Sequence, residues 1–469
     1  VRLTRLLVAT ATVTALAACS SGGGGGVDGT PGGSGVRDPY FPKAGNGGYD
    51  VGHYDLVLDY DPDAERLTGT ATITARATQD LSAFDLDLKG LDVQNVTVEG
   101  REARFNRAGQ ELTVRPPDEL DDGETFRVRI RYSGKPETVT DPDDSEEGWL
   151  PTDDGAVGLG EPTGSMAWFP GNHHPSDKAT YDIAVTVPED YGVVSNGQPA
   201  GETTRNGRTT FRWHTAEPMA SHVATIAVGD WRISRSVTDD GLPVYTAVDP
   251  EQAAASRTVL ARIPAIMKWE QDLFGPYPFS STGAIVDRPD DAGYALETQT
   301  RPYFPGAPDT ETLVHELAHQ WYGDSVTPKT WRDMWLNEGF ATYAEWLWTE
   351  DHGGDTAQET FDALYDGDYY DDEEANEAVW AFPPGKPSDA AHISDSPVYE
   401  RGAMVLHRIR QTVGDDAFRA LLRDWAAAHR HGNADTGDFT AFVEKSAPGK
   451  DFTEIWDDWL YGDGKPERP

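Results

Sequence analysis

Cysteine is all but missing: Cys19 stands alone in 469 residues, so no intramolecular disulfide can brace the fold. Cations are scarce as well. The chain sets 39 Lys and Arg against 80 Asp and Glu, a formal net charge of −41. That balance argues against a nucleic-acid partner and against an electrostatic hold on anionic lipid. It reads instead as an acidic surface that keeps an exported protein soluble, and more weakly as a preference for basic peptides. The apolar run at 6–16 is too short to span a bilayer. The acidic run at 366–374 lacks the spacing of an EF-hand and reads as a solvated loop. What the chain does have is 38% hydrophobic residues and 14 Trp, enough for sizeable cores in two or three domains.

The first residues carry an address. Arg2 and Arg5 precede the short apolar run, the layout of an export signal. Leu16-Ala17-Ala18-Cys19 resembles a bacterial lipobox, which implies cleavage before Cys19 and lipid on its sulfur. Residues 1–19 are then a lipoprotein signal peptide. The expected location is the outer side of the bacterial cytoplasmic membrane, anchored by lipid without spanning, or released. An ordinary secretory signal with an incidental cysteine is the alternative. Residues 20–40 open with Gly and Ser and read as a flexible tether.

From 41 to 238 the pattern is that of strands. His53–Tyr60 and Thr68–Ala75 alternate, and the runs 93–98, 111–114, 126–132, 179–188 and 208–214 follow between Gly, Asp and Pro turns. This predicts an antiparallel, half-exposed β domain, a saddle or sandwich. A polar Asp-Asp-Gly turn near 237–242 marks the expected boundary. Residues 239–469 then read as mainly helical, with runs over 251–273, 402–413, 415–429 and 453–460, and with Trp456 and Trp459 as core candidates. The class is α+β with more than one domain. His173 and His174 have no third ligand nearby and read as loop histidines.

The chemistry is concentrated at Leu313-Val-His315-Glu316-Leu-Ala-His319-Gln-Trp-Tyr322. Two histidines four apart lie one turn apart on a single helix face, so both imidazoles reach one metal ion. Glu316 projects beside that metal as a general base. Catalytic zinc takes three protein ligands and leaves a position open. Glu338, near the start of the next helical run, has the charge and reach for the third. Asp324 is a candidate to orient a ligand histidine.

His315, Glu316, His319 and Glu338 inside Asn337-Glu338-Gly339, with Gln320-Trp321-Tyr322-Gly323-Asp324 beside them, resemble the gluzincin aminopeptidases, within them the aminopeptidase N and leukotriene hydrolase family. The resemblance implies one zinc ion, an N-terminal β saddle and a thermolysin-like catalytic domain, in a two-domain form without the large C-terminal helical domain of many relatives. It also carries over further residues. Glu161, in a Phe-Pro then Pro-x-x-Lys-Ala segment, and Glu297, in Gly293-Tyr-Ala-Leu-Glu297-Thr, match the glutamates that hold the substrate's free amine. Tyr399, in Tyr399-Glu-Arg-Gly402-Ala403, matches the oxyanion-stabilising tyrosine. Two departures stand out: Gly171-Asn-His-His-Pro175 replaces the family's version, and Leu296 and Thr298 replace Met and Asn.

The implied reaction is removal of N-terminal residues from peptides by zinc-activated water, with Glu316 as base and Tyr399 on the oxyanion. The expected partners are peptides with a free N-terminus, no nucleic acid, and membrane through the lipid alone. The protein is expected to work as a monomer. A zinc endopeptidase, a hydrolase of small epoxides or esters, and a catalytically silent peptide-binding lipoprotein are the other readings.

Overall fold

The computed structural model describes residues 27–289 and 292–468. Cys19, the apolar run and the start of the tether lie outside the described residues. Among the described residues no helix is long and apolar enough to cross a membrane.

The first half is built of sheets. Its largest has eight strands in the order Gln198–Arg205, Arg208–Ala220, Lys178–Pro188, Tyr49–Asp61, Arg66–Ala77, Thr125–Gly134, Asp92–Val98 and Arg101–Glu102. Alternation works as expected: along Tyr49–Asp61 the inward residues Tyr54, Leu56 and Leu58 are buried while their neighbours face water. One expectation needs correction. The sheet is not purely antiparallel, because Lys178–Pro188 runs parallel to Tyr49–Asp61. Such a pairing joins strands more than 100 residues apart and leaves no hairpin signal in the sequence.

The tether expectation also fails for its described part. Thr30–Pro31 pairs with the strand Leu81–Asp87, and Gly32 N donates to Ala83 O at 2.9 Å. Asp38 is buried, accepting from Tyr40 N, Phe41 N and, in the second half, Trp331 N. The segment is held by its backbone. A Cβ on Gly32 would meet Gly47 O at 2.3 Å, so the missing side chain is what lets it dock.

The second half holds the helices α1 (Ala253–Leu260), α2 (Ile263–Phe274), α3 (Thr310–Ala318), α4 (Trp335–Asp351), α5 (Ala357–Asp366), α6 (Glu373–Ala378), α7 (Gly402–Val413), α8 (Asp415–Ala428) and α9 (Thr436–Ser446). The single run expected over 251–273 is two helices. Pro264 has no N–H to give and its ring excludes the carbonyl of Leu260, so α1 stops there and α2 starts with the proline in its first turn. Trp459 is buried at the end of the chain, and Trp456 is half-buried against the same core.

A four-stranded sheet lies between the halves, in the order Arg232–Val237, Pro243–Val248, Thr282–Asp287 and Tyr303–Pro305. Val244, Val286 and Phe304 on one face join the helical core, and Tyr245, Ile285 and Tyr303 on the other join the β core. The boundary expected at 238 therefore falls inside this sheet, whose first strand begins at Arg232. Its pairing with Pro243–Val248 is tertiary information that the polar turn between them does not reveal.

Lys178 rivets the two halves together. Its ammonium donates to the carbonyls of Asp324, Ser325 and Gly432 at 3.0, 2.8 and 2.9 Å. Asn196 Nδ2 reaches Gln299 O at 2.8 Å, and Arg301 reaches Gly197 O at 2.6 Å. Glu161 comes from the β half and the remaining site residues from the helical half, so this seam sets their relative position.

Candidate active site

Helix α3 begins on Asp309, whose carboxylate caps Thr312 N, and it ends with His319 at its last turn. His315 and His319 project from consecutive turns with ring centroids 4.7 Å apart. Helix α4 packs against α3 and presents Glu338 from its first turn, where the helix dipole favours a negative charge. Glu338 Oε2 lies 3.2 Å from His315 Nε2 and 3.3 Å from His319 Nε2.

The rings are oriented from behind. His315 Nδ1 bonds Glu345 Oε1 at 2.5 Å, and His319 Nδ1 bonds the carbonyl of Tyr322 at 3.0 Å. With both Nδ1 atoms donating, both Nε2 lone pairs face Glu338. Three acceptors that converge within 4.8 Å require a cation among them, and two imidazoles with one carboxylate are a zinc donor set. The residues present fit the metal. Burial opposes ionisation of the His319 ring, but Glu297 and Glu338 overcome it and raise it to about 10. Burial likewise opposes the Glu338 charge, and the two histidines hold it down at about 2.

Sequence reasoning missed Glu345. It lies seven residues after Glu338 on α4, two turns along the same face, and that spacing was the available signal. The Tyr322 carbonyl left none, since any residue offers one. Asp324 is not the orienter expected of it: it is buried, and His319 takes the Tyr322 carbonyl instead.

Glu316 projects from α3 beside the triad. Burial raises its carboxyl to about 8, against the pull of His315 and His319. Glu297 sits where Leu296 pairs with Tyr303, at 2.9 and 2.8 Å, and its carbonyl accepts from Gln320 Nε2 on the zinc-motif segment at 3.3 Å. Its carboxylate comes within 4.0 Å of His319 Nδ1. Glu161 enters from the β half, 3.7 Å from the buried ring of His222. Burial, then Glu297 and Glu338, push the Glu161 carboxyl well above its usual range. His222 is a second residue that the sequence reading passed over; it lies in the short turn of helix Ser221–Val223.

Tyr399 lies just ahead of α7. A Cβ on Gly339 would meet Gly402 at 2.9 Å, so the paired glycines let α4 and α7 touch backbone to backbone, one residue from Glu338 and three from Tyr399. Arg401, buried, ties the same segment to the carbonyls of Trp459, Asp458 and Gly462. The Tyr399 ring stacks on His315 at 6.1 Å and 14°. Burial, with Glu338 and Glu297, keeps its phenol protonated and able to donate. His173 and His174 are buried in the β half, bonded to Phe169 O and to Asp38 with Ser176, far from a metal role. The loop expected to be solvated at 366–374 is largely exposed, with Asp372 capping α6.

All seven predicted site residues inside the described chain thus line one cavity of about 380 Å³. Residues 51–223 match the peptidase M1 N-terminal domain and residues 307–459 the peptidase family M1 domain. A crystal structure of a mutant M1 zinc metallopeptidase from Deinococcus radiodurans, bound to a Tyr-Ser-Ala substrate, superposes with a TM-score of 0.85. It is 31% identical, and the match covers 93% of this chain and 99% of that one. The chain belongs to peptidase family M1. Among its M1 relatives, Aminopeptidase 2 of Candida albicans is 26% identical over 463 residues, 88% of this chain and 47% of that protein. Aminopeptidase N of Lactobacillus helveticus is 27% identical over 454 residues, 88% of this chain and 51% of that one. This M1 chain therefore spans about half the length of those relatives.

Proposed function

We propose that this chain is a zinc aminopeptidase that removes N-terminal residues from peptides. The observation that carries the reading is the convergence of Glu161, Glu297 and Glu338, with carboxylate oxygens within 4.8 Å of one another. Two buried carboxylates beyond the metal set are costly unless a cation meets them. A free α-ammonium supplies it, and an internal peptide bond does not. The M1 relatives named aminopeptidases support the same reading.

His315, His319 and Glu338 would hold the zinc, which supplies Lewis acidity to polarise the scissile carbonyl and acidify water. Glu161 and Glu297 grip the α-ammonium and so set which peptide bond lies over the triad. Glu316 takes a proton from the attacking water and returns it to the leaving amine. The Tyr399 hydroxyl donates toward the carbonyl oxygen as negative charge develops on it.

The test is a panel of aminoacyl chromogenic amides, each paired with its N-acetylated form, with and without chelator. Chelator-sensitive cleavage of the free-amine forms alone is the expected result. Equal cleavage of the blocked forms would make the protein an endopeptidase. The Leu-Ala-Ala-Cys motif supports a lipid anchor on Cys19 at the outer face of a bacterial membrane. Palmitate labelling that persists in Cys19→Ala would overturn that part.

A further inference from the structure

The cavity continues past the triad to a wall that the reaction derived above leaves unused. Among the described residues the lining contains six carboxylates, Asp141, Asp143, Glu161, Glu297, Glu316 and Glu338, and no lysine or arginine. The zinc offsets Glu338, an α-ammonium offsets Glu161 and Glu297, and Glu316 trades a proton with water. Asp141 and Asp143 remain.

These two are not incidental surface charge. Asp141 is 7% exposed, and its Oδ2 meets no hydrogen-bond donor. Behind it stands Glu147, wholly buried, whose oxygens accept from Thr163 N at 3.0 and 3.1 Å and from Thr163 Oγ at 3.0 Å. Burial raises both carboxyls, so the pair readily takes up a proton or another cation. Lys89 also acts on Asp141, but it lines the neighbouring groove rather than this cavity. Asp143 is oriented by Ser145, whose N and Oγ donate to it at 3.0 and 2.7 Å. Tyr294 adds a half-buried ring to the same wall, its hydroxyl fixed on Glu146 O at 3.0 Å. Carboxylates beside an aromatic face suit a guanidinium or a lysine ammonium, which gains both charge pairing and a cation–π contact.

We propose that Asp141, Asp143 and Tyr294 form the subsite for the side chain of the substrate's N-terminal residue, and that it selects arginine and lysine over neutral and acidic side chains. The inference rests on the aminopeptidase reading and names its substrate class. Glu147 is a positioning residue: it holds the Asp141 wall and, through Thr163, the turn that carries Glu161.

The experiment is kcat/KM for arginyl, lysyl, leucyl, alanyl and glutamyl amides, using zinc-loaded protein, Asp141→Asn and Asp143→Asn. The expected result is arginyl and lysyl above leucyl by on the order of ten-fold or more, as for one charge-assisted contact. Each variant should lower the arginyl-to-leucyl ratio, chiefly through KM. Asp143 is exposed, so its variant keeps the test sound if Asp141→Asn misfolds. Leucyl or alanyl amides cleaved as well as arginyl by the unaltered protein, or a ratio unmoved in a folded variant, would overturn the subsite. In that case cleavage of neutral free-amine substrates would leave the aminopeptidase reading standing. Failure on every free-amine substrate would overturn both.

Discussion

Two buried polar regions of this molecule lie close together and are built to opposite rules. In the seam between the halves, the groups that bridge it satisfy one another, although the side chains of Asp324 and Gln299 beside them have no hydrogen-bond partner. Lys178 has three carbonyls, Asp38 takes three backbone N–H groups, and Asn196 bonds Gln299 O and Val223 O while its own oxygen accepts from Thr225 N. In the cavity they do not. Glu161 Oε2, Glu297 Oε1 and Glu316 Oε2 are buried without hydrogen-bond partners. Polar burial that closes on itself stabilises a fold and fixes its geometry. Polar burial left open stores a demand for cations, which metal and substrate meet. The seam can therefore be perturbed at the expense of stability, and the cavity at the expense of turnover or metal.

The largest separation between the two should appear at Glu316. In Glu316→Gln, kcat should fall by about 10²–10⁴-fold, the worth of a positioned general base, with zinc stoichiometry unchanged. Loss of zinc would show that Glu316 belongs to the ligand set. Glu345 comes next, because it holds a ligand ring from behind and so behaves like a seam residue. Its bond to His315 Nδ1 closes completely. Glu345→Ala should weaken zinc binding by about 10–100-fold, read by chelator competition, while the metal-saturated enzyme keeps most of its turnover. Unchanged affinity would mean that the ring needs no partner to hold its tautomer.

The contrast also explains what the sequence made legible. The cavity's first ligands obey helical spacing: His315 and His319 are four apart, and Glu345 would have followed from the same rule at seven beyond Glu338. Tyr399, Glu161 and Glu297 show no such periodicity and were reachable through family resemblance. The seam was almost silent. It is made of carbonyls and amides from strands and turns hundreds of residues apart, as in Lys178 with Gly432 or Asp38 with Trp331. Backbone acceptors carry no residue code, so residues 27–40 read as a tether and Arg232–Val237 as the end of the β domain. The guess of Asp324 failed for the same reason, since a carbonyl took the place expected of a side chain.

The seam has its own test. Lys178→Met keeps the bulk and removes all three donors, leaving Asp324 O, Ser325 O and Gly432 O without them. It should cost about 1–3 kcal/mol in stability, seen as a lower melting temperature. The kcat of the folded, zinc-loaded protein should hold. A fall in kcat with unchanged melting would mean that the seam tunes the site rather than merely carrying it.

The smallest effect is a pH slope, and it asks whether burial holds His173, one of the buried histidines of the β half, neutral. His173 bonds Phe169 O through Nε2 at 3.0 Å and packs edge-on to the Phe169 ring. Burial lowers it from its ordinary 6.5 to about 4. Its folded value is depressed, so its contribution is fully present above 6.5. As pH falls the unfolded chain takes a proton that the native ring refuses, and the loss is complete near 4. At about pH 5.5 the loss is about 1.4 kcal/mol. Asp87, whose carboxylate accepts His173 N at 3.3 Å, is raised by burial to about 8 and acts in the opposite sense. The informative quantity is therefore the gap in melting temperature between the unaltered protein and His173→Gln, in which Asp87 and the site histidines largely cancel. That gap should narrow between pH 7 and pH 5, because the variant has no imidazole to exclude a proton from. A gap constant across the window would mean that the folded His173 ring takes up a proton as readily as the unfolded one, so that burial does not hold it neutral.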